Sequence, residues 1–149
     1  MPSVEAIAEQ WLGRAVESYP EQTAQFLLGQ RDRFRNPVGY TFREALKVLV
    51  EEVLGSMDGA RIASALDGIV RIRAVQDFTP SQAVGFVFLL RGALAGAAET
   101  VGAETHKRID ELALLAFDAY SQCREQIAEI RSKEARRCPS GASRDGCGG

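Results

Sequence analysis

Histidine is almost missing from this chain, and its absence removes several kinds of chemistry. His106 is the one imidazole among 149 residues. A lone histidine far from the cysteines makes a poor zinc site, because structural zinc takes four ligands, usually with closely spaced cysteine pairs. As a proximal haem ligand His106 stands too late, since only one long helix can follow it where a haem globin needs two. Beside Glu104 and Lys107 at an expected helix start, it reads as a surface histidine. No metal and no cofactor is expected. Cysteine is sparse too: Cys123, Cys138 and Cys147. An odd count without a signal peptide argues against a secreted disulfide scaffold. Charge of one sign is absent. With 18 basic and 20 acidic residues the net charge is -2, which gives no whole-molecule attraction to nucleic acid or to an anionic membrane. A membrane span is also missing: the apolar run Ala83 to Ala98 is short and carries Arg91. Glu5, Glu9 and Gln10 interrupt any N-terminal apolar leader. The expectation is a soluble, cytoplasmic protein without membrane insertion. Nor is there a Gly-rich phosphate loop, a carboxylate pair in apolar surroundings, or a Ser-His or Cys-His pairing at a useful spacing. These absences point away from an enzyme.

What is present is helix. Hydrophobic residues make up 46% and charged residues 26%, an ordinary balance for one globular domain. Ser3 is placed to cap a first helix whose apolar side is Val4, Ile7, Trp11, Leu12 and Ala15. Tyr19-Pro20 interrupts it, and Pro20 opens a short second helix through Leu28. Residues 29–39 read as a loop, with Asn36-Pro37 forcing an extended or turn conformation. Thr41 and Glu44 form a capping box for a helix to about Leu54 that buries Leu46, Leu49, Val50 and Val53. Asp58 caps a fourth helix through about Val75, with Ile62, Leu66, Ile69 and either Ile72 or Arg73 facing inward. Thr79 and Gln82 form a second capping box, with Pro80 at the first helical position. The run AVGFVFLL that follows is apolar all round and predicts a central, covered helix. Gly92 and Gly96 predict close approach of another helix.

After Gly102 comes the longest periodic segment, from about Glu104 to Arg136. Ile109, Leu112, Leu115 or Ala116, Ala119, Cys123, Ile127 and Ile130 hold one stripe. Such a helix spans roughly 45 Å, more than a compact domain whose radius of gyration is about 15 Å. Its charged last turns, with Arg131, Lys133, Arg136 and Arg137, should project, dock on a partner or fray. The predicted organisation is one all-α domain over residues 1–137, a bundle of five to six helices with a long C-terminal helix. Residues 138–149 form a Cys- and Gly-containing tail with no apolar pattern.

Three blocks carry a family resemblance: NPVGYTFREAL, IVRIRAVQDFTPSQAVGFVFLLR and LALLAFDAYSQCREQIAEIR. Together they make the chain resemble the N-terminal domain of the RsbRD-type RsbT co-antagonist proteins, over roughly residues 7–135. The resemblance implies an all-helical sensory or regulatory input module in signal transduction and stress-response regulation. In multidomain relatives a STAS domain that engages signalling kinases follows it. It also implies, by analogy of fold alone, a globin-like bundle without haem. After Arg137 this sequence shows only the tail, so the resemblance names a stand-alone input module.

Candidate sites are few. Arg71, Arg73, Gln76 and Asp77 cluster at the end of the fourth helix, where Arg73 and Asp77 are i,i+4 neighbours suited to a salt bridge. They read either as a pocket gripping an anionic ligand or partner carboxylate, or, favoured, as an ion-pair network fixing a corner. Arg31, Arg33, Arg35 and Arg43 gather around a loop with Asp32 and Glu44. They read as an anion or partner site, or more simply as a solvated loop. Cys138 and Cys147 are far enough apart in the tail to close a disulfide, and neighbouring arginines favour thiolates. The aromatic residues are expected mostly in the core, with Phe78 stapling against Ala83.

The functional expectation is a non-enzymatic regulatory module. It binds a protein partner or a small ligand, pairs with a second copy where a homodimer forms, and relays the event through its last helix. The alternative is a redox- or metal-linked accessory protein acting through Cys138 and Cys147.

Overall fold

The computed structural model describes residues 3–97 and 100–137. Among the described residues every regular element is helical: α1 (Val4–Ala15), α2 (Glu21–Gly29), α3 (Pro37–Leu54), α4 (Gly59–Val75), α5 (Pro80–Val84), α6 (Leu89–Gly96) and α7 (Ala103–Arg137). A 3-10 stretch, Gly85–Phe88, joins α5 to α6. Counting that arm as one segment gives six, within the expected five to six.

Most helix starts are where the side chains place them. The Ser3 hydroxyl accepts from the Ala6 amide at 3.1 Å. Asp58 accepts from Ala60 and Arg61. At α5 both halves of the capping box form: Thr79 Oγ1 accepts from the Gln82 amide, and Gln82 Oε1 from the Thr79 amide at 3.0 Å. Each satisfies amides that the first turn leaves without partners.

The start of α3 departs from expectation. The helix begins at Pro37, not at Thr41. Asn36 is the cap, its Oδ1 accepting from the Gly39 amide at 2.9 Å, and Pro37 takes the first-turn position that needs no amide donor. Its Nδ2 group also donates to the carbonyls of Phe26, Leu27 and Gln30. One buried amide therefore closes the end of α2 and the start of α3. Thr41 lies inside the helix, and Glu44 pairs with Lys47 at 3.0 Å.

The arm after Pro80 is not one covered helix. It tightens at Gly85, because the Phe86 carbonyl serves both the Leu89 amide and the Trp11 indole N–H at 2.7 Å. Phe86, Val87, Leu90, Ala93 and Leu94 are buried, but Phe88 and Leu89 are exposed.

The main core is built from α1, α3, α4, α6 and the first half of α7. Trp11, Leu12, Leu49, Val50, Leu90, Ile109, Leu112 and Ala116 are fully enclosed. Trp11 stacks on Phe86 with ring centroids 5.9 Å apart. Helix α6 does approach α1 at its glycines. A Cβ on Gly92 would stand 2.9 Å from Arg14 Nη1, and one on Gly96 2.5 Å from Gln10 Oε1. A smaller cluster of Val70, Ala74, Ala83, Tyr120 and Cys123, with Phe78 packed on it, joins the α4–α5 corner to α7. The Tyr120 hydroxyl donates to the Phe78 carbonyl. Fewer aromatics are core than expected: Trp11, Phe42, Phe86 and Tyr120 are buried, while Phe26, Phe34, Tyr40, Phe88 and Phe117 are exposed.

Candidate functional site

Arg73 lies on the buried side of α4, 2% exposed. Of its five N–H donors, Nη1 gives one hydrogen bond, to the Gln82 carbonyl at 3.0 Å. Nε is buried and has no partner among the described residues. In place of a carboxylate, four rings surround the guanidinium: Phe78, Phe86, Tyr19 and Phe42 have centroids 4.8, 5.4, 5.8 and 5.8 Å from Cζ. Ring faces offset part of the desolvation penalty of a cation. Burial still pulls the guanidinium below its ordinary pKa. Tyr19 shows the opposite shift. Its hydroxyl is raised, first by desolvation, with Arg73 and the Gln76 hydrogen bond acting against the rise.

The expected Arg73–Asp77 salt bridge does not form. Helix α4 ends at Val75, and Asp77 adopts φ 58°. The Phe78 amide bonds the Arg73 carbonyl at 3.2 Å and the Asp77 amide bonds the Ala74 carbonyl at 3.3 Å. That pair of bonds is a Schellman ending with aspartate in the left-handed position usually given to glycine. Asp77 is turned off the Arg73 face and is exposed. Gln76 accepts from the Tyr19 hydroxyl at 2.7 Å. Arg71 points elsewhere, to Asp67 at 2.9 Å and Gln126 at 3.5 Å. The four residues therefore do not make one pocket.

Arg73 instead lines a cleft of about 390 Å³ between the end of α1 and the α5–α6 arm. Arg14, Ser18, Gln82, Phe86 and Leu89 share that wall. These residues are distant in sequence from Arg73, and no spacing rule joins them. Phe86 was legible as apolar, not as the ring against an arginine.

Of the four loop arginines, Arg31, Arg33 and Arg35 are exposed, while Arg43 is in α3 and largely covered. Arg35 is 3.9 Å from Asp32 and largely exposed. Arg31 and Arg43 both reach Glu9, and Arg43 also donates to the Leu28 carbonyl. Arg33 lies over Phe34, 4.9 Å from its centroid. His106 is exposed and accepts at Nδ1 from Arg91 Nε at 2.9 Å. A second concavity, about 590 Å³, runs between α4 and α7 past Asp67, Asp118 and Cys123. The Cys123 thiol is buried and pushed up in pKa by desolvation, which disfavours the reactive thiolate. Cys138 and Cys147 lie outside the described residues. Among the described residues no helix is long and apolar enough to cross a membrane.

Helix α7 has 35 residues, about 52 Å at 1.5 Å each. Its first half is buried at Ile109, Leu112, Ala113, Ala116, Tyr120 and Cys123. Arg108 fastens its base, donating to the Val53 and Gly55 carbonyls at the end of α3. From Arg124 to Arg136 every side chain except half-buried Ile127 is exposed. Ile130 stands 57% exposed on the apolar stripe.

The RsbT co-antagonist protein rsbRD N-terminal domain matches residues 5–135. The chain belongs to that family. RsbRD N-terminal domains form a signalling-related regulatory family, in keeping with the all-helical build and the long last helix. An uncharacterized protein of Archaeoglobus fulgidus is 26% identical over 134 residues, covering 86% of this chain and 82% of that protein. No solved structure matches.

Proposed function

We propose that this chain is a non-enzymatic regulatory module that passes a signal to a protein partner through the C-terminal half of α7. The observation that carries the reading is the helix that outruns its own core. Past Cys123 it keeps an apolar position at Ile130 with Arg131, Lys133 and Arg136 beside it, and among the described residues only Gln126 and Ile127 still reach the rest of the domain. Exposed apolar residues framed by charge on a rigid helix suit helix-in-groove recognition. The family's name supports a partner of the RsbT signalling class. The first half of α7 is fixed to α3 by Arg108 and to the α4–α5 corner by Tyr120. A change in the bundle is thereby carried to the projecting end, because packed elements shift between discrete arrangements.

A photoreactive amino acid placed at Ile130 of the full chain tests this in cells. The expected outcome is a discrete cross-linked protein that a control at exposed Gln22 on α2 does not give. Cross-links at Gln22 and none along residues 127–136 would move the output surface elsewhere.

A further inference from the structure

The cleft holding Arg73 has the makings of a ligand site apart from the α7 surface. Arg73 as a residue is 2% exposed. One of its N–H groups has a protein acceptor, and Nε has none among the described residues. Among the described residues no carboxylate forms an ion pair with it, and Tyr19 is the one titratable group close enough to act on its charge. A buried cation in that position is costly unless an anion completes it. The other wall residues indicate which anion. Ser18 and Gln82 offer polar groups, Arg14 adds a second guanidinium, and Phe86 and Leu89 form an apolar side. The planar fork of Arg73 matches two carboxylate oxygens. Glu17, exposed at the rim, disfavours a second negative charge. The apolar side suits a short hydrocarbon body. At about 390 Å³ the space accommodates a small molecule.

We propose that this cleft binds a small organic monocarboxylate, its carboxylate on Arg73 and its apolar body along Phe86 and Leu89. The site stands independently of the α7 output, and each can fail without the other.

The protein contains its own reporter. Trp11 is the single tryptophan, it stacks on Phe86 and it donates to the Phe86 carbonyl. Full-length protein titrated with sodium hexanoate at constant ionic strength should show a saturable change in Trp11 emission. Losing a charge-assisted hydrogen bond weakens binding by at least about tenfold. Arg73→Met should therefore bind hexanoate at least that much more weakly while keeping its helical circular dichroism. Arg71→Met, on another face of α4, should bind as the unaltered protein does. Replacing a buried cation with an apolar residue of similar length is often tolerated. Should Arg73→Met not fold, Arg73→Lys keeps the charge without the fork and should still bind more weakly. The proposal is overturned by the absence of a saturable change up to about 10 mM hexanoate, or by unweakened binding to the folded Arg73 variant. Hexan-1-ol giving the same change would reduce the site to apolar binding and sink the carboxylate assignment. Inorganic phosphate binding as tightly as hexanoate would do the same.

Discussion

Asn36 is the most heavily used polar side chain in the fold. Its amide answers the Phe26 and Leu27 carbonyls of α2, the Gln30 carbonyl just past it and one amide of α3, while buried at 1% exposure. Removing it takes a partner from each of these groups, although the Phe26 carbonyl keeps the Gln30 amide. Asn36→Ala should lower stability by about 2–3 kcal/mol in urea unfolding. Gly39 belongs to the same arrangement. A Cβ there would lie 2.8 Å from the Leu27 carbonyl, so Gly39→Ala should destabilise too, although alanine is normally the better helix former. A gain in stability from Gly39→Ala would show that the α2–α3 turn is looser than described.

Glu52 governs the next turn. It is buried and accepts from the Asp58 amide at 2.7 Å, from Ser56 and from Arg61. Its pKa lies below the ordinary 4.5, chiefly through the Asp58 amide. A carboxylate with a depressed folded pKa stabilises the protein above its unfolded pKa. That contribution fades as pH falls from about 4.5 through the folded value. Glu52→Gln should therefore be less stable at neutral pH and flatter across that acid window. Parallel stability curves for the two proteins would assign the acid response to other carboxylates.

At the scale of elements, Trp11 joins α1 to the α5–α6 arm. Its indole donates into the 3-10 stretch, and its ring covers Phe86. Trp11→Phe removes the donor and leaves space, and should cost about 2–4 kcal/mol in thermal unfolding. The arm should loosen before the α3–α4 pair does. How far each element was legible follows from what its signal depends on. Ser3, Asp58 and Thr79 cap through contacts a few residues away, and those starts could be read directly. The cap at Asn36 was hidden because its other partners are the Phe26, Leu27 and Gln30 carbonyls, on and just past the preceding helix. The break at Gly85 was hidden for a similar reason: its donor is 75 residues away. The partner expected for Arg73, Asp77, is turned off by the Schellman ending, and its neighbours are rings from α2's approach, α3, the α4–α5 corner and the α5–α6 arm. The projecting end of α7 was legible, since apolar periodicity simply continued past the dimensions of a compact domain.

For the whole molecule, the bundle is complete without the end of α7. Its buried residues stop at Cys123, and beyond it only Ile127 packs, at the margin of the smaller cluster. Stability therefore resides in the segment from Ser3 to about Ile127, and the remaining turns are free to serve another surface. A helix end held by its backbone hydrogen bonds and exposed local pairs such as Lys133–Glu129 opens readily, because isolated turns are marginal in water. Hydrogen exchange of the isolated full-length protein, resolved by residue along α7, tests this most directly. Amides from about Ile109 to Cys123 should be protected to nearly the global unfolding free energy, with protection falling away over the turns after Ile127. Equal protection from Ile109 through Arg136 in the isolated protein would contradict the account, for it would mean that the chain already covers the surface assigned to a partner.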